Sequence, residues 1–308
     1  MNQQLKILVV YYSQSGQLKQ IIDTIVAPFQ HKASIVYKLI EPVEPFPFPW
    51  KKQQFFDAMP ECVLARPRAV KYIGVSADEH FDLVILGYTP WFLSPSQPVA
   101  GFLQSEEGKS ILKGKRVLTV SGCRNMWLNA QEAIKRYLSA AGATLVGNIA
   151  LVDKNHNLVS LFTIQRWAFK GKKDGHFILP PAGVQEEDIK ACDRFAAPIV
   201  AALENNKMDT LQAELVQLGA AEVLPSLVVL ENRGTKPFKF FAKFISDKGG
   251  PAAPSRQGRV SLYRNLLPIA VIILSPISAL SALITLITKK KQLNEEVAYY
   301  KGIELRKA

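Results

Sequence analysis

Residues Leu5–Leu18, LKILVVYYSQSGQL, dictate the architecture that the rest of the chain follows. Leu5–Tyr12 is an unbroken apolar run rich in β-branched and aromatic side chains, the composition of a strand buried on both faces of a parallel sheet. Ser13-Gln14-Ser15-Gly16-Gln17 interrupts it. Leu18, Ile21, Ile22, Ile25 and Val26 then recur at helical spacing up to Pro28. The reading is a buried strand, a turn carrying hydroxyls and a glycine, and a helix N-terminus. Such a turn gathers free backbone N–H groups, side-chain hydroxyls and the positive end of a helix dipole, which together suit a phosphate. The same residues would also serve as a plain strand-to-helix connection.

The alternation continues downstream. Ser34–Ile40, Phe81–Gly87 (FDLVILG), Lys115–Ser121 (KRVLTVS) and Leu145–Val152 read as strands. Helical patterns cover Val99–Leu103, Ala130–Ala141 (stopped by Gly142) and Gln185–Leu203, the last with an acidic first turn at Glu186-Glu187-Asp188. Five strands alternating with helices predict an open, doubly wound α/β domain. Thr210–Leu218 reads as a helix, and Ser226–Leu230 as a strand or an apolar connector. In Glu41–Trp50, EPVEPFPFPW, the closely spaced prolines forbid both helix and central strand. An extended loop with exposed aromatics is expected there, either a connector or the wall of a binding site. Asn155–Pro181 is long for a connection. Its Leu161, Phe162, Ile164, Trp167 and Phe169 either line a site for alkyl chains or pack the loop onto the domain.

In such a sheet the loops after strands one, three and four gather at one edge, beside the topological switch point. The first loop, Ser13, Gln14, Ser15, Gly16, Gln17 and Leu18, suits a phosphate. In the second, Tyr88, Thr89, Pro90, Trp91 and Phe92, and in the third, Ser121–Trp127, aromatic rings could sandwich a flat ligand. Ser121, Gly122, Cys123 and Arg124 would close the pocket edge, with Arg124 placed to stabilise an anionic reduced flavin or an enolate, or else to stand on the surface. A phosphate pocket among aromatic loops describes a flavin mononucleotide (FMN) site. Neither G-x-G-x-x-G nor G-x-x-x-x-G-K-[ST] occurs, so dinucleotide and P-loop readings lose their main support. No catalytic base is evident: His31, His80, His156 and His176 have no motif context. Cys62, Cys123 and Cys192 are too few and too scattered for a disulfide framework or a metal site.

Charge separates the chain into two parts. Residues 1–231 hold 24 Lys/Arg against 22 Asp/Glu, and residues 232–308 hold 14 against 4. The basic tail contains PFKFFAKFISDK (Pro237–Lys248), whose Phe238, Phe241, Phe244 and Ile245 share a helical face, as in an interfacial amphipathic helix or a helix docked on the domain. A Gly/Pro/Ser linker (Gly249–Gly258) follows. Asn265–Thr288 then runs 24 residues without a charge, long enough to span a bilayer. Pro276, with Ser275, Ser278 and Ser281 nearby, invites a kink or a shallow hairpin confined to one leaflet. Basic residues flank both ends, so orientation stays open. The expected organisation is a nucleotide-sized α/β domain at 1–205, an accessory segment at 206–248, a linker at 249–264, a membrane segment at 265–288 and a basic tail at 289–308. No secretory leader is evident, so the α/β domain is expected in the cytoplasm, attached to the inner membrane. A nucleic-acid partner is disfavoured because the basic residues accompany apolar ones suited to lipid.

YYSQSGQL resembles the phosphate loop of the flavodoxin superfamily, with Leu18 in place of its last hydroxyl, and GYTPWFLSP resembles that family's second loop. The resemblance covers about residues 5–205 and implies bound FMN and a five-stranded parallel sheet in the order 2-1-3-4-5. YYSQSGQL together with EPFPFPW, Phe55-Phe56-Asp57 and the hydrophobic C-terminus is similar to the bacterial proteins labelled dialkylresorcinol condensing enzyme, of aryl-polyene and dialkylresorcinol pathways. That resemblance implies an FMN-dependent aromatase that converts a dialkylcyclohexane-1,3-dione to the resorcinol beside a separate ketosynthase. Condensation itself would need a nucleophilic cysteine with histidine partners, and no such pattern surrounds the three cysteines. Two other functions stay open: a quinone-type reductase or electron carrier, and a flavin-free scaffold for a membrane biosynthetic complex.

Overall fold

The computed structural model describes residues 4–306, except for the side chains of 271, 272, 274–276, 278 and 279. Five strands form the central sheet: β1 (Leu5–Tyr11), β2 (Ala33–Leu39), β3 (Leu83–Tyr88), β4 (Arg116–Cys123) and β5 (Thr144–Val152). All pairings are parallel and the order is β2-β1-β3-β4-β5, the flavodoxin-like arrangement. The period of two sends alternate side chains to opposite layers. Ile7, Val9 and Ile85 enter one core with Ile21, Ile22 and Ile25, while Leu8, Val10 and Leu86 enter the other with Phe102, Ile134 and Leu138.

The helices in chain order are α1 (Gln17–Val26), α2 (Lys52–Asp57), α3 (Met59–Val63), α4 (Gln97–Gln104), α5 (Glu106–Leu112), α6 (Leu128–Ala140), α7 (Asn157–Lys170), α8 (Glu186–Lys190), α9 (Ala196–Glu204) and α10 (Met208–Gln217). Three long or late elements follow: α11 (Pro225–Ser246), α12 (Gln257–Thr288) and α13 (Lys290–Lys301). Two sequence expectations need correction. Gln185–Leu203 is not one helix: α8 and α9 are separated by a 3-10 turn at Ala191–Phe195. Pro198 lacks the N–H that would bond to Arg194 and its ring crowds that carbonyl, so an uninterrupted α-helix is disfavoured there. Ser226–Leu230 is neither strand nor connector but the first turns of α11, with Pro225 at the favoured first helical position.

Phe238, Phe241, Ala242 and Ile245 on α11 do not lie open as an interfacial face. They pack with Val260 and Tyr263 of α12 and with Phe56 and Met59. Arg256 fastens this helical hairpin to the α/β domain. Its side chain is fully buried, pairing with Asp57 at 2.8 Å and Glu61 at 2.7 Å, and donating to the Asp57 carbonyl at 2.6 Å. A buried guanidinium is tolerated because its donors meet carboxylates and a carbonyl in fork geometry. Helix α12 begins at Gln257, inside the stretch read as linker. Among the described residues no helix is long and apolar enough to cross a membrane. The kink expected at Pro276, with Ser275 and Ser278, falls on side chains outside the described ones.

Candidate functional site

The turns after β1, β3 and β4 meet at the carboxyl edge of the sheet and open a cleft of about 620 Å³. Its polar end is the first turn. Gly16 sits at φ +84°, a left-handed conformation favoured by glycine, and occupies the N-cap of α1 without any side-chain cap. A Cβ there would meet nothing within 4 Å, so the backbone angle, not space, demands the glycine. Ser13 Oγ is buried with no hydrogen-bond partner among the described residues, a donor waiting at the helix end.

The neighbouring amides are already committed. Gln17, read as a phosphate contact, donates Nε2 to the Val184 carbonyl (2.9 Å) and accepts from the Val184 N–H (3.1 Å). Its side chain, at the lining of the cleft, therefore braces the Gly183–Val184 wall. Gly183, at φ +82°, has no room for a Cβ, which would sit 2.6 Å from Gln17 Oε1 and 2.7 Å from Trp167. Gln14 likewise donates to the Pro47 carbonyl (2.9 Å) and accepts from Trp50 Nε1 (2.9 Å), pinning the proline-rich segment over the turn. Leu18, buried beneath the turn, and Ser15 both line the cleft.

The second turn folds back on itself. Pro90-Trp91 pairs antiparallel with Ser94-Pro95, and Phe92 (φ +50°) and Leu93 (φ +62°) hold the left-handed angles of the tight bend. Two adjacent bulky residues in that region are strained, and the surrounding packing holds them there. Trp91 meets Tyr12 (5.9 Å), Phe46 (5.1 Å) and Trp50 (5.3 Å) edge-on. The aromatics expected to be exposed in EPVEPFPFPW are thus largely turned inward as a wall: Trp50 is buried and Phe46 half-buried. Phe92 packs on Phe55 at 4.8 Å. Tyr88, read as a ring-stacking candidate, does not reach the cleft. It is fully buried and donates to Gln131 Oε1 (2.8 Å), whose Nε2 donates to Thr119 Oγ1 (3.1 Å). Thr89 and Pro90 do line the cleft.

In the third turn Ser121 is fully buried inside β4 and stays out of the cleft, whereas Gly122, Cys123 and Arg124 line it. A Cβ on Gly122 would approach Ile21 Cδ1 to 2.7 Å, so its absence lets α1 pack against the turn. Burial pushes the Cys123 thiol well above its usual range, so it stays protonated at neutral pH. Arg124 donates Nη1 to Asn157 Oδ1 (2.7 Å) and, among the described residues, makes no ion pair. Burial lowers its affinity for a proton, yet a guanidinium stays charged. The buried Asp153 carboxylate is close enough to favour that charge without pairing with it, which leaves the guanidinium able to meet a ligand anion.

The other end of the cleft is apolar. Phe55 of α2, Leu161, Ile164 and Phe169 of α7, and Leu267 and Pro268 of α12 line it, with Lys52 and Arg264 also among the lining residues. Residues Lys52, Arg264, Leu267 and Pro268 are absent from the sequence-derived site. Arg264 immediately precedes the uncharged run and Leu267 and Pro268 lie at its head, where a composition that speaks of lipid hides a pocket wall. The four histidines contribute nothing to the lining: His156 borders a second cavity beside Asp153 and Glu222.

One further group supports the third turn. Glu231 of α11 is buried and caps α6, accepting from the N–H of Leu128 (3.0 Å) and Asn129 (2.9 Å). Burial pushes its carboxyl up to about 7, against the lowering effect of those hydrogen bonds. A helix N-terminus just past Arg124 is therefore capped by a residue over 100 positions downstream.

No protein-family model matches the chain, and no curated protein matches it in sequence. Among solved structures it is similar to a flavoprotein from Lactobacillus acidophilus in complex with FMN. The identity is 17%, with 47% of this chain and 92% of the other covered and a TM-score of 0.39. It is also similar to a flavodoxin from the domain Archaea (14%, covering 65% and 99%, TM-score 0.39). Oxidised flavodoxin 1 of Bacillus cereus is a third (16%, covering 64% and 97%, TM-score 0.36). The fold assignment stands on the sheet order itself: this is a flavodoxin-like α/β protein with a helical C-terminal region.

Proposed function

We propose that the cleft binds FMN and that the protein is a membrane-attached flavoprotein which oxidises a lipid-like cyclic 1,3-dione, a dialkylcyclohexane-1,3-dione, to the aromatic resorcinol. The observation that carries the reading is the union, in one cleft, of a phosphate-suited turn and an alkyl-sized apolar chamber. The residues fit the cofactor: Ser13 Oγ is a buried donor without a partner among the described residues, Gly16 leaves the α1 N-terminus without a side-chain cap, Trp91 and Phe92 line the cleft, and Arg124 is a cation in no ion pair among the described residues.

When bound, FMN would supply a two-electron acceptor. The chain's own residues do the rest. Ser13 and the first turn of α1 hold the phosphate. Arg124 offsets negative charge that develops on the enolised dione or on the ring. Phe55, Ile164 and Leu267 bury the alkyl chains and exclude water around the reacting ring. Aromatisation removes one proton and one hydride from ring carbons. A 1,3-dione is acidic enough to give its proton to solvent before it enters, so the dry cleft receives the enolate beside Arg124 and the hydride is what remains to be removed there.

The test is an absorption spectrum of the protein reconstituted with FMN, before and after anaerobic addition of the dione. Bleaching of the oxidised-flavin bands by the dione is the expected result. Bleaching by a nicotinamide but not by the dione would make the protein a reductase. Failure to retain FMN would leave a scaffold beside a ketosynthase and end the cleft reading.

A further inference from the structure

The solvent face of α12 carries Leu266, Ile269, Ile273, Ile277, Leu280 and Ile284 at steps of three or four residues, each 40–62% exposed. At 1.5 Å per residue this stripe is about 27 Å long. An exposed apolar face of that size marks an interaction surface. The opposite side of α12 is held by the protein. Val260, Tyr263 and Leu267 pack against α11 and α3, and Ala282 and Leu286 pack with Val228 and Leu293. With Arg256 locking its first turn, α12 is held to the molecule near both of its ends.

Charge identifies what that face meets. A coiled-coil partner or a second copy would be selected by charged residues flanking the seam. Here no charged residue occurs between Asn265 and Thr288, and the charges stand at the two ends instead: Arg264 before the stripe and Lys289, Lys290 and Lys291 after it. Apolar length closed at both ends by cations suits an anionic membrane, and the packing of both ends of α12 on the same domain sets the helix along the membrane plane, not across it.

The cleft opens toward the same helix. Leu267 and Pro268 line it while the adjacent Leu266 and Ile269 face solvent; on α7, Leu161 and Ile164 line it while Leu158 and Phe162 face solvent. Just beyond α7 a tight hairpin, closed by reciprocal bonds between His176 and Leu179, holds Phe177 (95% exposed) and Ile178 (84%) at its tip. Lys172 and Lys173 precede that tip. Both helices that frame the apolar chamber therefore continue outward as lipid-compatible surface.

We propose that α12 lies in the plane of an anionic leaflet with its stripe embedded, and that the cleft receives its alkyl-chain ligand sideways from that leaflet between α7 and α12. This rests on the cleft being the ligand site, and it refines membrane attachment from an unspecified tail to a defined in-plane seat beside the cleft.

The experiment uses the full chain with preformed vesicles of phosphatidylcholine alone or with phosphatidylglycerol, read by flotation. The wild type should float with the anionic vesicles. Ile269→Glu/Ile273→Glu/Ile277→Glu should lose at least about tenfold in partition. These positions are exposed, so folding and FMN binding, measured on the same samples, should not change. Lys289→Glu/Lys290→Glu/Lys291→Glu should lose the preference for anionic lipid. Trp50, Trp91 and Trp167 line the cleft, so vesicles with brominated acyl chains should quench tryptophan emission of the wild type. Equal flotation of the stripe variant and wild type would overturn the seat. So would a dimer that the stripe substitutions abolish in a protein that ignores vesicles. Flotation without quenching would overturn sideways entry. Loss of FMN binding in every sample, with flotation intact, would instead end the flavin reading and leave the seat standing.

Discussion

At the polar end of the cleft the ligand-facing groups come from turns a few residues long, each placed by the strand before it. At the apolar end Phe55, Ile164 and Leu267 arrive from helices more than 100 residues apart and meet only because other contacts hold those helices together. The polar end follows from local rules: a strand must end, a helix must begin, and their junction exposes N–H groups. The apolar end depends on a few buried polar fasteners, Arg256 above all. Disturbing the first end should change ligand binding and spare the fold. Disturbing the second should loosen the molecule and lose the chamber as a consequence.

The largest expected effect is at the fastener. Arg256→Met leaves Asp57 and Glu61 buried without their cation and should cost about 3–5 kcal/mol in urea unfolding. Adding Asp57→Asn and Glu61→Gln should recover part of that loss. Should Arg256→Met unfold like the wild type, the hairpin is held by packing alone and the contrast between the two ends collapses. Next, Ser13→Ala removes a donor that makes no internal bond. It should leave stability within about 0.5 kcal/mol while weakening FMN binding roughly 10–100-fold, read by fluorescence titration.

Gln17→Leu sharpens the comparison from the middle, because this side chain sits in the polar turn yet serves the wall. It strands the Val184 N–H and carbonyl and should cost about 1–3 kcal/mol in thermal or urea unfolding. A variant that lost FMN affinity at unchanged stability would return Gln17 to the ligand. A pH dependence completes the comparison and concerns Glu231. Its carboxyl titrates near 7 when folded and, like an ordinary carboxyl, near 4.5 when unfolded, so between these values the folded chain holds more protons. For this group stability is greatest below about pH 4.5, falls as pH rises, and levels off above 7, at no more than about 1.4 kcal/mol per unit. Glu231→Gln should remove that slope from a pH series of unfolding curves; an unchanged slope would place the titration elsewhere.

The sheet was legible because each strand announces itself locally. Leu5–Tyr11 and Leu83–Tyr88 are buried on nearly every side, and a period of two within short apolar runs survives any tertiary arrangement. The Ser13–Gly16 turn, with its uncapped helix N-terminus, was likewise readable, since a strand-to-helix junction with glycine at the cap is a local event. What each polar side chain does there was not. Gln14, Gln17 and Tyr88 carry groups suited to a ligand, but partners at Pro47, Val184 and Gln131 claim them first. The same uncharged run, Asn265–Thr288, reads as lipid-seeking from composition alone, because composition cannot tell which face of a helix is covered. Only the tertiary structure decided that Leu267 and Pro268 wall a cleft while Ile269 and Ile273 face outward. That division is made by Arg256, Asp57 and Glu61, whose meeting across about 200 residues is set by the burial of a charge and by no local pattern.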